Sequence, residues 1–312
     1  MRFLLLILAC ISIVECFHHY AHRHRRRIRP HHRSTLKAVP VVMWHGMGDC
    51  CCNPMSMGRI QSFIEENVDG IYVKSLMLGS NVAEDTEQGF FGNMNDLVEN
   101  ACQQIRNDTL LQFGFNAIGF SQGAQFLRAV AQRCPDPPMK NFISVGGQHQ
   151  GVFGLPYCPG DTTVCNTIRR LIDYGAYNHF VQNNVVQAQY WHDPLHEEEY
   201  RNHSIFLADI NNEREINADY KKNLMNLKNI LFIKFTKDHM VVPKESSWFG
   251  YYKQGDLETI VPMNETTLYK EDRIGLKKMD ELGRLHFLEV EGDHLKIKLE
   301  EFKKEVIDKY LK

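Results

Sequence analysis

Charge of a single sign is missing from this chain. Its 36 basic and 38 acidic residues leave a formal net charge of −2, which gives no global pull toward nucleic acid or an anionic bilayer. Past the first residues there is no second apolar stretch of the ~18 residues that suggest a membrane-spanning helix, so no transmembrane segment is expected. No glycine-rich loop with phosphate-binding spacing is followed by Lys-Ser/Thr, which excludes a nucleotide-phosphate loop. Cys-x-x-Cys units matched to a histidine pair are lacking, so no metal site is expected. Internal repeats are lacking as well, and the last residues, Asp308 to Lys312, carry neither a retention signal nor a lipid-anchor motif.

What is present begins with Met1, Arg2 and an apolar run from Phe3 to Val14, short for a bilayer span but right for a signal-peptide core, with cleavage expected near Cys16. Residues 1–16 are therefore read as a signal peptide. Residues 17–36, rich in His and Arg, are too polar to pack and are read as a disordered basic segment. A catalytic domain is expected over 37–312. Of nine cysteines, the loss of Cys10 and Cys16 leaves seven: Cys50, Cys51, Cys52, Cys102, Cys134, Cys158 and Cys165. In an oxidising compartment these should largely pair, with one thiol over. Asn107, Asn202 and Asn264 each open an Asn-x-Ser/Thr triplet, which fits glycosylation on a route through the endoplasmic reticulum.

Short β-branched runs alternate with helical patterns. The runs are Val39 to Trp44, Ile71 to Leu76, Phe115 to Phe120, Phe142 to Val145, Ile230 to Phe235 and Leu285 to Val290. Met57 to Glu66, Met94 to Ile105, Ser121 to Arg133 and Leu299 to Leu311 have apolar residues three and four apart. This order predicts an α/β fold with a mostly parallel central sheet flanked by helices. The long gap between Val145 and Asn229 predicts a subdomain inserted at about 146–229, over the carboxyl ends of the strands.

Gly119-Phe120-Ser121-Gln122-Gly123 stands between an apolar strand and an amphipathic helix, the setting of a nucleophile elbow. A serine hydroxyl needs a base to take its proton, and in this fold the base follows an acid late in the chain. His294, in the loop leaving the last strand, is the best-placed histidine; His286, His239, His203, His196, His192 and His179 are its alternatives. Asp238, just past Ile230 to Phe235, is the best-placed acid, against Asp193, Asp209, Asp256, Asp272 and Asp280. The oxyanion needs two N–H donors. One is that of Gln122; the other belongs to the glycine-flanked loop His45 to Asp49.

Several longer motifs now carry a resemblance. Trp44-His45-Gly46-Met47-Gly48-Asp49, Cys51-Cys52-Asn53-Pro54, Gly119 to Gly123, Gly146-Gly147-Gln148-His149-Gln150-Gly151, Asn202 to Ile210, Trp248-Phe249-Gly250, Glu265 to Tyr269 and Glu291 to Leu295 resemble the palmitoyl-protein thioesterase family, over about Val39 to Leu311. The resemblance implies an α/β-hydrolase with Ser121, Asp238 and His294 as triad and with Met47 and Gln122 as oxyanion donors. It implies a lysosomal serine hydrolase, without metal or cofactor, that removes thioester-linked palmitate from cysteines of S-acylated proteins. A lysosomal sorting receptor is a further partner in keeping with it. It also implies the pairs Cys51–Cys52, Cys102–Cys134 and Cys158–Cys165, leaving Cys50 over. A lipase or carboxylesterase, or a silent lipid-binding protein on the same fold, is the alternative to weigh.

Overall fold

The computed structural model describes residues 37–154 and 163–312. The expected signal peptide, the basic segment and Cys158 lie outside these residues. Among the described residues eight strands form: β1 (Val41–Trp44), β2 (Val73–Ser75), β3 (Phe115–Phe120), β4 (Met139–Val145), β5 (Asn229–Phe235), β6 (Tyr251–Tyr252), β7 (Ile260–Val261) and β8 (Leu285–Val290). Six of them make one sheet in the order β2-β1-β3-β4-β5-β8, and every neighbouring pair in it is parallel. β6 and β7 form a separate antiparallel hairpin that no sequence pattern had indicated.

Because successive side chains of a strand point to opposite faces, each apolar run feeds two cores. Val42, Trp44, Ala117, Phe142 and Phe232 enter one apolar cluster, whereas Val41, Met43, Ile118, Ile143 and Ile233 enter the other. The first face is covered by the helices Met94–Arg106 and Gln122–Arg133, the second by Met57–Asn67 and the C-terminal segment. Covering both faces is what lets parallel strands be apolar at every position, as in β1, which is buried throughout. Each fully buried Phe or Ile contributes about 1.5–3 kcal/mol. The Gln122–Arg133 helix is buried at every residue but its last. The C-terminal segment departs from expectation: one α-turn, Leu299–Phe302, continues as a wider i→i+5 helix over Lys303–Leu311.

A disulfide between Cys102 and Cys134 joins two helices on the first face across 32 residues of chain, a closure that contributes about 3–4 kcal/mol. Between β4 and β5 the described chain is helical: Thr163–Gly175, His179–Asn184, Val186–Gln189, Glu197–His203, Leu207–Ile210 and Ala218–Met225. Ile168, Ile172, Ala176, Val181, Val185 and Ala188 form a small apolar cluster there, with Phe90 and Phe91 packed against it.

The sheet order fixes where chemistry belongs. The chain runs from β1 outward to β2, then returns to place β3 on the other side of β1. This reversal leaves a crevice at the carboxyl ends of β1 and β3, the usual ligand position in open α/β sheets. The loop from His45 and the residue Ser121 emerge at those two ends.

Candidate active site

Ser121 has φ 53° and ψ −122°, a strained conformation for a residue with a Cβ. The chain tolerates it because its surroundings force the turn. A Cβ on Gly119 would stand 2.3 Å from Ala124 Cα, and one on Gly123 would stand 2.4 Å from the Trp44 carbonyl oxygen. These two glycines are thus required by the close approach of backbones, while the unusual angle falls on the serine itself. The first turn of the helix begins at once, with Ala124 N–H donating to the Ser121 carbonyl at 2.9 Å.

His294 Nε2 lies 2.8 Å from Ser121 Oγ, and His294 Nδ1 lies 2.7 Å from Asp238 Oδ2. The other oxygen, Asp238 Oδ1, accepts the backbone N–H groups of Met240 at 2.8 Å and Val241 at 2.9 Å. With its side chain fully covered and its lone pairs spoken for, that carboxylate has one orientation. It dictates that Nδ1 carries a proton and that Nε2 faces the serine as acceptor. Gly146, at φ 63°, makes room for the ring: a Cβ there would sit 3.2 Å from His294 Cε1.

Ser121, Asp238 and His294, singled out in the sequence, are therefore brought together. Several of the alternatives are spent elsewhere. His286 pairs with Asn229, His196 with Asp193, His192 with Glu197, and Asp209 with Arg133. His149 is a neutral core histidine, held well below its ordinary range by burial and by the nearby Arg128 charge.

Gly46 and Met47 line the same cavity as Ser121 and His294, and a Cβ on Gly46 would lie 3.1 Å from that of Ser121. The loop is held from behind. His45 Nδ1 donates to the Gly46 carbonyl at 2.8 Å, which fixes the peptide unit whose other end is the Met47 N–H. Gln122, whose N–H follows the serine, is anchored through its side chain. Its Nε2 donates to the Gly89 carbonyl at 3.1 Å, and its Oε1 accepts from Tyr190 at 3.1 Å. Gln187 also donates to Gly89, at 3.0 Å. Gln187 and Tyr190, which line the cavity beside Gln148, escaped the sequence reading because they lie in the insertion, where no periodic pattern marks a wall.

The cavity above Ser121 measures about 90 Å³ and is mostly apolar, with Val152, Ile172, Trp191, Val241 and Leu295 in its wall. Ile172 and Trp191 carry that wall into the apolar cluster of Ile168 and Val181.

The expected Cys51–Cys52 bond is not formed. The two thiols lie 2.8 Å apart as free cysteines, whereas Cys50, expected to be left over, is disulfide-bonded. Adjacent Cα atoms are ~3.8 Å apart across a trans peptide, closer than the ~4.4 Å minimum usual for a disulfide, so a bond between neighbouring cysteines needs a distorted backbone. Cys102–Cys134 is present. Asn107, Asn202 and Asn264 are all exposed.

A parallel sheet with a strained serine after β3, a histidine after its last strand and an acid after the one before defines a serine hydrolase of the α/β-hydrolase class. Comparison with known proteins narrows this. The family model described as palmitoyl protein thioesterase matches residues 40–294, and the chain belongs to that family. It is 65% identical over 278 residues to palmitoyl-protein thioesterase 1 of Caenorhabditis elegans, covering 89% of this chain and 93% of that protein. Palmitoyl-protein thioesterase 3 of Dictyostelium discoideum is 36% identical over 266 residues, covering 84% and 87% respectively. The human lysosomal thioesterase PPT2 is 29% identical over 258 residues, covering 80% and 78%.

Proposed function

We propose that this protein is a palmitoyl-protein thioesterase in which Ser121 is the nucleophile, His294 the base and Asp238 the residue that orients it. The observation carrying this reading is the unbroken line of contacts from Asp238 Oδ2 through the His294 ring to Ser121 Oγ, at 2.7 Å and 2.8 Å.

As His294 takes the hydroxyl proton, Ser121 Oγ attacks the thioester carbonyl, and the oxyanion is received by the Met47 and Gln122 N–H groups. The C–S bond then breaks. The thiolate leaves as a cysteine thiol with the proton held at Nε2, and the acyl group remains on Ser121. Water, deprotonated in turn by His294, releases the fatty acid and restores the serine.

The insertion at about 146–229 serves as the cap of the acyl site, and the wall running from Val241 and Leu295 to Ile172 and Trp191 takes the chain. Methylenes buried there contribute about 0.8 kcal/mol each, so a long acyl chain can dominate binding. Lysosomal residence, with delivery by a sorting receptor, follows the names of the PPT2 relatives and the exposed acceptors Asn107, Asn202 and Asn264.

Purified protein given an S-palmitoyl peptide should release palmitate, and Ser121→Ala should abolish the release. Faster hydrolysis of the matching oxygen ester would move the assignment to a lipase or carboxylesterase. Binding of the peptide without turnover would overturn the enzymatic reading.

A further inference from the structure

Two Asp-His dipeptides end adjacent strands, Asp238-His239 after β5 and Asp293-His294 after β8. They are crossed. Asp238 holds the ring of His294, while Asp293 Oδ1 lies 3.2 Å from Nδ1 of His239. The same Asp293 oxygen accepts the His294 backbone N–H at 2.7 Å and lies 3.3 Å from the His239 backbone nitrogen, which donates to it. One carboxylate oxygen thus gathers donors from the loop carrying the base and the loop carrying the acid.

The inner pair is sheltered, with side-chain exposures of 11% for His294 and 0% for Asp238. The outer pair is open to solvent, with 54% for Asp293 and 70% for His239. Strand-like pairing ends just before it. Thr236 N–H donates to the Val290 carbonyl at 3.0 Å and Lys237 N–H to Gly292 at 2.9 Å. Past Gly292 the chain turns sharply, at φ 144° there and 60° at Leu295, so the base sits between two bends. At that point the Asp293 side chain takes over the join.

We propose that Asp293 and His239 form an outer pair that positions the triad, holding the two loops so that the His294 ring keeps its bonds to Asp238 and Ser121 together. Neither residue touches the reacting atoms; both act through His294 and Asp238. The proposal rests on the roles given above to Ser121, Asp238 and His294. The Asp293 carboxyl is held below its ordinary range, first by the His294 backbone N–H and, against the opposing effect of burial, by His239. An exposed pair adds little to global stability. Its signature is expected in turnover rather than in melting.

The test compares wild type, His239→Ala, His239→Asn, Asp293→Ala and the double alanine variant. The readouts are kcat and KM on an S-palmitoyl peptide, thermal melting, and the far-downfield proton resonance of the Asp238–His294 hydrogen bond. His239→Ala should lower kcat about threefold to tenfold with KM little changed. His239→Asn, whose amide can donate from near the Nδ1 position, should recover most of that loss. Asp293→Ala should cost more, and the double variant no more than Asp293→Ala, because both act on one contact. The resonance should broaden in each alanine variant while melting stays near wild type. Wild-type kcat and a sharp resonance in both single alanine variants would overturn the proposal. So would a kcat loss matched by a melting loss and not recovered by asparagine. If wild type does not cleave the peptide at all, the thioesterase reading fails, while the resonance still decides the outer pair.

Discussion

His45 Nε2 stands 3.4 Å from Asp85 Oδ2 with both side chains wholly buried, directly behind the loop that supplies the Met47 N–H. Asp85 also accepts the backbone N–H groups of Cys51 at 2.9 Å and Leu78 at 2.8 Å, so one carboxylate ties the histidine to two neighbouring loops. Burial alone would lower the His45 pKa; the nearby Asp85 carboxylate, with the Gly46 carbonyl, outweighs it and raises the pKa above the usual value. A histidine whose folded pKa is raised contributes stability that is fully present below its unfolded pKa and lost as pH rises through the folded value. Asp85→Asn should therefore cost more stability at about pH 5 than at about pH 8, on the order of 3–5 kcal/mol at the acid end for a broken buried pair. Denaturant unfolding at the two pH values checks this; an equal loss at both would remove the charge from the account.

The strain at Ser121 gives a second outcome. Ser121→Gly should lose activity by about 10⁴-fold or more, yet melt at or above the wild-type temperature, because glycine accepts φ 53° without the cost of ~1–3 kcal/mol that a Cβ incurs. Paired calorimetry and turnover measurements test it. A lower melting temperature would show that the turn is not strained.

Asp238→Asn should reduce kcat about 10⁴-fold with the fold intact. The amide retains only one accepting oxygen, while Asp238 serves the Met240 and Val241 N–H groups with one oxygen and His294 with the other. An NH₂ facing Nδ1 favours the wrong imidazole tautomer. Steady-state kinetics across pH should show the loss persisting where wild type has reached its plateau.

Gly123→Ala should fail through the backbone. Its Cβ would lie 2.4 Å from the Trp44 carbonyl oxygen and 2.6 Å from that of His45, neither of which can swing aside. Loss of several degrees in melting temperature together with loss of turnover is expected. Wild-type melting would show that β1 and the nucleophile helix can move apart freely.

Trp191→Ala should separate chain length from chemistry. Opening the wall that joins the cavity to the Ile168 and Val181 cluster should raise KM for a palmitoyl substrate far more than for a butyryl one. Each methylene that loses its contact forfeits up to about 0.8 kcal/mol. Equal changes for both substrates would place the acyl chain elsewhere.

The sequence by itself determined the layers and picked out the candidate site residues. An uninterrupted apolar run such as Val41–Trp44 fits a strand covered on both faces, and Gly119 and Gly123 around Ser121 mark a turn with no room for a Cβ. Position in the chain order separated His294 and Asp238 from many other histidines and aspartates. Tertiary structure decided what periodicity cannot encode. Gln122 is anchored by Gly89 and Tyr190, groups 33 and 68 residues away in the chain, and Asp85 reaches His45 from another loop. Those contacts depend on which loops meet at the ends of β1 and β3. The cysteines show the same limit: the family resemblance implied a Cys51–Cys52 bond, whereas in the structure these two are free cysteines and Cys50 is disulfide-bonded.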